Sequence, residues 1–336
     1  MISRRLSIAR LFFAALAFAV GASAAFAEEQ HSLRACTFNI RLSPGDVGTE
    51  NDWVRRKDSV IKFLRDANLD IFGLQEVCPD QAAQIDMAFP DYAKFGDHRN
   101  ADRKSGEASS IYFRKSRFEL VKGGTFWLSE TPDVPGEKGW GAACPRVCSW
   151  AYLKDVATGR AFCFANTHTD HVSSLARKEG MLLIIKRMRE FAPAGTPIIF
   201  TGDHNCTEIS DPALAVSAIL NNAMLVSKTA PKGSWRTYNG WKWMEKEVSC
   251  AEALARAPKD RNAPEKLSKT GGPDLVASGT IDGTEFIKKC NGPRIDYIYT
   301  SRDITVLDYE TVNAAREGTN FYPSDHFPIV ATIVLP

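Results

Sequence analysis

The sequence predicts an α/β fold of two packed β-sheets with helices on their outer faces. Three observations predict it: strand-helix-strand passages mix with hairpin-like alternation, short apolar and β-branched runs read as buried strands, and longer stretches carry apolar residues at helical spacing. Residues 33–40 read as a strand, and Asn51 or Asp52 caps a helix over 53–67 with Val54, Ile61 and Leu64 among its apolar positions. Residues 70–75 form a second buried strand, and Pro79 suits the first turn of a short helix reaching residue 87. Alternating runs at 109–128 and 147–167, broken by Lys122-Gly123-Gly124 and Thr158-Gly159-Arg160, read as antiparallel hairpins.

A long helix starts at Ser173 or Ser174 and ends near residue 191, with Leu182, Leu183 and Ile185 on its apolar face. Residues 197–201 are a strand, and Asp211-Pro212 opens a helix to about residue 220. Three strands, 294–300, 304–309 and 327–335, follow a region where periodicity fails. That region, about 241–291, begins with Trp241 and Trp243 and continues rich in Lys, Pro and Gly, as a lid-like insertion would. Its tryptophans suit either stacking on a base or sugar or pinning the loop.

Arg4, Arg5 and Arg10 precede an apolar stretch over 11–20 and the small-x-small string Ala25-Phe26-Ala27. This is the pattern of a signal peptide over 1–27, cleaved after Ala27, and it predicts a periplasmic or secreted protein with one domain over 28–336. Removing three arginines and no acids turns the formal charge of +2 into −1. Such a surface does not hold a long polyanion by counterion release. A nucleic-acid substrate is compatible but not required, because a divalent metal supplies local positive charge. No later stretch is apolar enough to span a bilayer, and a soluble monomer is expected.

All eight cysteines lie beyond residue 27, and in an exported chain their even number suggests disulfides, with Cys144–Cys148 and Cys250–Cys290 the expected pairs. Cys36 and Cys163 sit inside strand patterns as small buried residues. The C-x3-C spacing of Cys144 and Cys148 lacks a second ligand pair nearby, which ranks a structural zinc below a disulfide.

Polar strings mark strand ends: Thr-Phe-Asn-Ile (37–40), Gly-Leu-Gln-Glu (73–76), Asn-Thr-His (166–168) and Gly-Asp-His-Asn (202–205), while Ser-Asp-His (324–326) leads into a strand. Glu76 is a hard oxygen ligand suited to Mg²⁺ or Mn²⁺. Asp203 and Asn205 can face one centre, the acid orienting or deprotonating water and the amide holding a phosphate oxygen, while Gly202 permits close backbone approach. Asp325 can bind metal while His326 handles a proton. Asp296, a carboxylate within an apolar strand, needs a partner, and a catalytic imidazole needs one too. His168 closes another strand and can donate to a phosphate oxygen.

With these strings the chain resembles the endonuclease/exonuclease/phosphatase family of DNase I-like phosphodiesterases and phosphatases, from about residue 33 to 335. The resemblance implies a four-layered α/β sandwich whose two central, mixed and largely antiparallel sheets are flanked by helices. By residue match, Asn39 and Glu76 serve the metal and the phosphate, Glu76 as principal ligand, and Asp325 serves the metal or its water shell. Asp203 positions or activates water with Asn205 beside it, His168 steadies the transition-state oxygens, and His326 pairs with Asp296. Either Asp203 or His326 is the base.

Tyr112 and Arg146 fall in family-like strings as second-rank phosphate contacts. His204, where the family commonly has an apolar or aromatic residue, either adds a phosphate or metal contact or faces away. The opening Phe38-Asn39-Ile40-Arg41 is similar to a bacterial branch, whereas the Trp-Cys-Asp-Arg string of inositol polyphosphate 5-phosphatases has no counterpart here. The implied activity is Mg²⁺- or Mn²⁺-dependent hydrolysis of phosphodiesters by in-line attack of water. A nuclease, a sphingomyelinase-like diesterase and a small-metabolite phosphatase are alternatives, as is a non-catalytic binding protein on the same fold.

Overall fold

The structure, a computed structural model, describes residues 31–256 and 292–336. The chain enters along β1 (Leu33–Asn39), crosses by α1 (Trp53–Asp66) to β2 (Ile71–Val77), and passes through α2 (Pro79–Ala88) to β3 (Tyr92–Phe95), β4 (Ala108–Arg114) and β5 (Phe118–Trp127). A hairpin of β6 (Val147–Asp155) and β7 (Ala161–His168) leads through α3 (Ser174–Phe191) to β8 (Ile198–Asp203) and α4 (Asp211–Ser217). Short elements follow: β9 (Asn221–Asn222), α5 (Ala223–Val226), β10 (Lys232–Gly233) and α6 (Cys250–Arg256). The chain then forms β11 (Asp296–Thr300), β12 (Thr305–Thr311) and β13 (Ile329–Val334).

Two sheets result, ordered β10-β12-β13-β1-β2-β4-β3 and β5-β6-β7-β8-β11-β9. Neighbours are antiparallel except β1–β2, β7–β8 and β10–β12. Because side chains alternate along a strand, each sheet has two faces to bury. The inner faces meet through Leu33, Ile71, Ile111 and Phe113 on one side and Leu153, Phe164, Ile199 and Ile298 on the other. The outer face of the first sheet packs on α1 and α2 through Phe38, Phe72, Val60 and Ile85, and that of the second packs on α3 and α4 through Phe200, Ile184, Met188 and Ala213. Four layers follow, as the family resemblance implies.

Polar side chains also cross between the sheets. Asn166 on β7 donates from Nδ2 to the carbonyls of Leu74 (2.9 Å) and Ser110 (3.0 Å), near the point where the β2–β4 register shifts. Its Oδ1 accepts from Gln75 Nε2 (2.6 Å) and Thr201 Oγ1 (3.1 Å). Gly73 makes room for this amide, because a Cβ there would collide with Asn166 Oδ1.

Several details differ from the sequence reading. Asp52 is the α1 cap, accepting from the Val54 amide, but Val54 is 68% exposed; Trp53, Arg56, Val60 and Leu64 make the buried face. On α3, Ile185 is buried while Leu182 and Leu183 are half-buried beside the more enclosed Met181, Ile184 and Met188. Residues 109–128 are not a hairpin: the chain leaves β4 in one sheet and enters β5 in the other, where the register against β6 shifts between Leu120 and Lys122 and Lys122-Gly123-Gly124 continues as paired strand. Turn-forming residues inside a run signal a bulge as readily as a turn.

Cys144 and Cys148 are both free, Cys148 being buried within β6 while Cys144 stands in the preceding loop, so the expected bridge is absent. Cys250 is buried, its thiol within reach of the Ser234 carbonyl at 3.1 Å; Cys290 lies outside the described residues. So do the signal segment 1–27 and most of the insertion, 257–291. No described helix is long and apolar enough to cross a membrane.

Candidate active site

Strand register assembles the centre. β7 and β8 run parallel with His168 opposite Asp203, and β11 runs antiparallel to β8 with Asp296 opposite Asp203, so an imidazole and two carboxylates stand in one row across three strands. The first sheet brings Asn39 and Glu76 from the ends of its parallel β1 and β2, and the segment leading into β13 adds Asp325 and His326. Gly202 is required where β7 and β8 approach, because a Cβ would strike the Thr167 carbonyl.

Asp203 is the hub. Its Oδ1 accepts from the Asn205 amide (2.9 Å) and its Oδ2 from Asn39 Nδ2 (2.9 Å). Oδ2 also faces His168 Nε2 at 3.3 Å and His326 Nε2 at 3.7 Å. Burial pushes this carboxyl up, but the two imidazoles and the two amides outweigh it and hold it below the usual range. His326 Nδ1 lies 2.9 Å from Asp296 Oδ2, which fixes the ring and turns Nε2 toward Asp203. Burial opposes charge on His326, yet Asp296 and Asp203 prevail and favour the protonated ring. Thr237 Oγ1 accepts from the Ile295 and Asp296 amides and secures the start of β11.

Glu76 holds a left-handed backbone (φ 61°), a strained state that concentrates at functional sites. Its Oε2 accepts from the Leu42 amide (2.9 Å) and its Oε1 from Asn39 Nδ2 (3.0 Å), so Asn39 bridges Glu76 and Asp203 as a donor. Asp325 is buried beside Glu76: burial first, then the Glu76 charge, raise its carboxyl despite His326 and Arg41. Two carboxylates that crowd one another in this way fit a divalent cation between them. Ligand atoms of Glu76, His168 and Asp203 also lie within 4.8 Å of one another. The carboxylate oxygens of this set suit Mg²⁺ or Mn²⁺.

Four residues to which the sequence assigned no role also shape the centre. Glu107 presents Oε2 to Arg99 (2.8 Å), Arg146 (3.7 Å) and His168 Nδ1 (3.7 Å). Burial alone would raise this carboxyl, but those partners pull it down to about 2. Buried Arg56 donates to the carbonyls of Ile40, Arg41 (2.6 Å) and Asn51 (2.9 Å), tying down the loop after β1, and lies over Trp241 at 5.7 Å. Arg41 reaches Asp46 (2.9 Å) and Asp325 (3.7 Å). Tyr238 meets the His326 ring edge-on at 5.1 Å. Of the two tryptophans, Trp241 packs on Arg56 and Trp243 tilts against Tyr322 at 5.1 Å while 42% exposed.

Asn39, Glu76, His168, Asp203, Asn205, Asp296, Asp325 and His326 thus form one cluster, with Asn205 Nδ2 at 2.9 Å from His168 Nε2. Arg146 joins them through Glu107. Tyr112 does not: it lies on the helix-covered face, stacked on Phe72 and donating to Asp86 at 2.9 Å. His204 also faces away, stacked on Tyr299 with both ring nitrogens unpartnered among the described residues, and burial depresses its pKa to about 3.

Comparison with protein-family profiles matches residues 36–326 to one described as the Endonuclease/Exonuclease/phosphatase family. No curated protein matches the chain in a sequence comparison. Among solved structures, an endonuclease/exonuclease/phosphatase from Bacteroides vulgatus is 30% identical with TM-score 0.72, covering 91% of this chain and 99% of its own. The mannosyl-6-phosphatase of Bacteroides thetaiotaomicron VPI-5482 is 28% identical with TM-score 0.71, covering 90% and 100% respectively. D. rerio TDP2 complexed with a single-strand DNA product shares the fold at 16% identity and TM-score 0.60, covering 90% and 99%.

Proposed function

The chain belongs to the endonuclease/exonuclease/phosphatase family, and from that premise we propose that it hydrolyses phosphoric esters, phosphodiesters foremost, with Mg²⁺ or Mn²⁺. The observation that carries the reading is the convergence of Asp203, His168, Asn205 and the His326–Asp296 pair with Glu76 and Asp325 at one sheet edge. Glu76 and Asp325 would hold the cation, with Asn39 fixing Glu76, and the cation supplies charge neutralisation at the phosphoryl oxygens.

The chain's own groups account for the rest. Asp203, held ionised, orients the attacking water in line with the leaving oxygen and accepts its proton. His326, aligned by Asp296, presents a protonated Nε2 to the same position, and His168 with Asn205 donates to oxygens that gain charge in the transition state. The mature chain, residues 28–336, should cleave bis-para-nitrophenyl phosphate with Mg²⁺ or Mn²⁺ and stop with chelator. Activity that survives Asp203→Ala combined with His326→Ala would refute the assigned roles.

A second reading, a phosphomonoesterase acting on a sugar phosphate, is favoured by the mannosyl-6-phosphatase among the similar structures. A higher kcat/KM on mannose 6-phosphate than on the diester would select it. Export after Ala27 and a monomeric state belong to the same proposal. A periplasmic product beginning at Glu28 and eluting as one chain supports both, and one retaining Met1 refutes export.

A further inference from the structure

We propose that Cys144, Asp170 and His171 form a second metal site, built for Zn²⁺ or a cation of similar softness and separate from the hydrolytic centre. One ligand atom from each lies within 4.8 Å of the other two. In sequence, Cys144 has no ligand pair nearby; the fold supplies one by laying the loop before β6 against the turn between β7 and α3.

Asp170 builds that contact. It is buried, and its Oδ2 accepts from the Ala143 amide (2.9 Å) while its Oδ1 accepts from the amides of Val172 (2.9 Å) and Ser173 (2.8 Å). The carboxylate therefore clamps the backbone beside Cys144 to the start of α3 and keeps lone pairs for a cation. Ser173 Oγ, donating to the Trp140 carbonyl at 2.8 Å, adds a second tie between the two segments. Six of the seven described cysteines are buried, whereas Cys144 is half-exposed and His171 is open to solvent. Solution metal thus has access to a thiol, an imidazole and a carboxylate with a position left for water.

That donor set differs in kind from the oxygen-rich hydrolytic centre, and thiolate with imidazole selects zinc over magnesium. Binding converts the Cys144 thiol to thiolate, its proton passing to solvent. Arg146 Nη2 lies 3.1 Å from His171 Nδ1, so a cation taken up through that nitrogen displaces the guanidinium. The same guanidinium faces Glu107, which faces His168, so occupancy is felt at the edge of the hydrolytic centre.

Co²⁺ is a suitable probe, because a thiolate–Co²⁺ charge-transfer band in the near ultraviolet reports only a site containing cysteine. The reduced full chain should develop this band to one equivalent. Cys144→Ser should abolish it, and His171→Ala, a change at an exposed side chain that leaves folding intact, should weaken Co²⁺ binding by about tenfold or more. Glu76→Ala should leave the band unchanged. No band in the unaltered chain, a band that survives Cys144→Ser, unweakened binding in His171→Ala, or loss of the band in Glu76→Ala would each overturn the proposal.

Discussion

Asn166→Ala should destabilise the protein by about 4 kcal/mol. The side chain is fully buried, donates to the Leu74 and Ser110 carbonyls and accepts from Gln75, each bond worth about 1 kcal/mol net, while the single Thr201 hydroxyl proton is shared between Asn166 Oδ1 and the Ala165 carbonyl; leaving the two buried carbonyls unpaired adds the rest. Gln75 retains its bond to Thr37 and Thr201 its bond to the Ala165 carbonyl, so the loss falls chiefly on the Leu74 and Ser110 carbonyls. A water admitted into the space would recover some of this, which sets a floor of about 2 kcal/mol. For a domain of this size 1 kcal/mol moves the melting midpoint by about 2 °C, so a fall of about 8 °C is expected by differential scanning calorimetry. Ser149→Ala is the matched control: the Ser149 hydroxyl is equally buried but has no partner among the described residues, so its removal should be neutral or stabilising. A fall under about 2 °C for Asn166→Ala, or equal falls for both variants, would refute the view that these bonds join the sheets.

Gly202→Ala should destabilise by about 1–3 kcal/mol and lower kcat more than tenfold, because the added methyl forces β7 and β8 apart at His168 and Asp203; unchanged kinetics would contradict it. Glu107→Gln removes a carboxyl lowered from 4.5 to about 2, which contributes stability above pH 4.5 that is lost as pH falls through 2. Urea unfolding should therefore show a deficit of about 3 kcal/mol at pH 7 that shrinks as pH drops across that window; a pH-independent deficit would count against the ion cluster. Tyr112→Phe should leave kcat and KM within about twofold and lower stability by about 1 kcal/mol through its bond to Asp86; a large kinetic loss would return Tyr112 to the site.

Strand ends were legible because apolar runs announce buried strands and polar residues at their termini stand out. Sequence adjacency does not tell which face a residue takes. Within β4, Ile111 faces the other sheet and Tyr112 the helices, and the family-like string around them is silent on that choice. For His204 a signal existed: the residue after Asp203 points to the opposite face by strand alternation, toward Phe200 and Tyr299. Glu107 had none, since its meaning arises only when Arg99 across its own turn is joined by Arg146 and His168 from two other segments. The tight run after β4 read as one hairpin because period-two alternation is the same whether the next strand joins the same sheet or the facing one.

β13 lies inside its sheet, between β12 and β1, and pairs Leu33 with Ile333 across nearly the whole chain. Asp325 and His326 stand immediately before it. Every other described strand precedes it in the chain, so a nascent polypeptide that lacks β13 has neither a closed first sheet nor Asp325 and His326 in place. The first sheet and the Asp325–His326 segment therefore form as one unit, so loss of β13 removes both together.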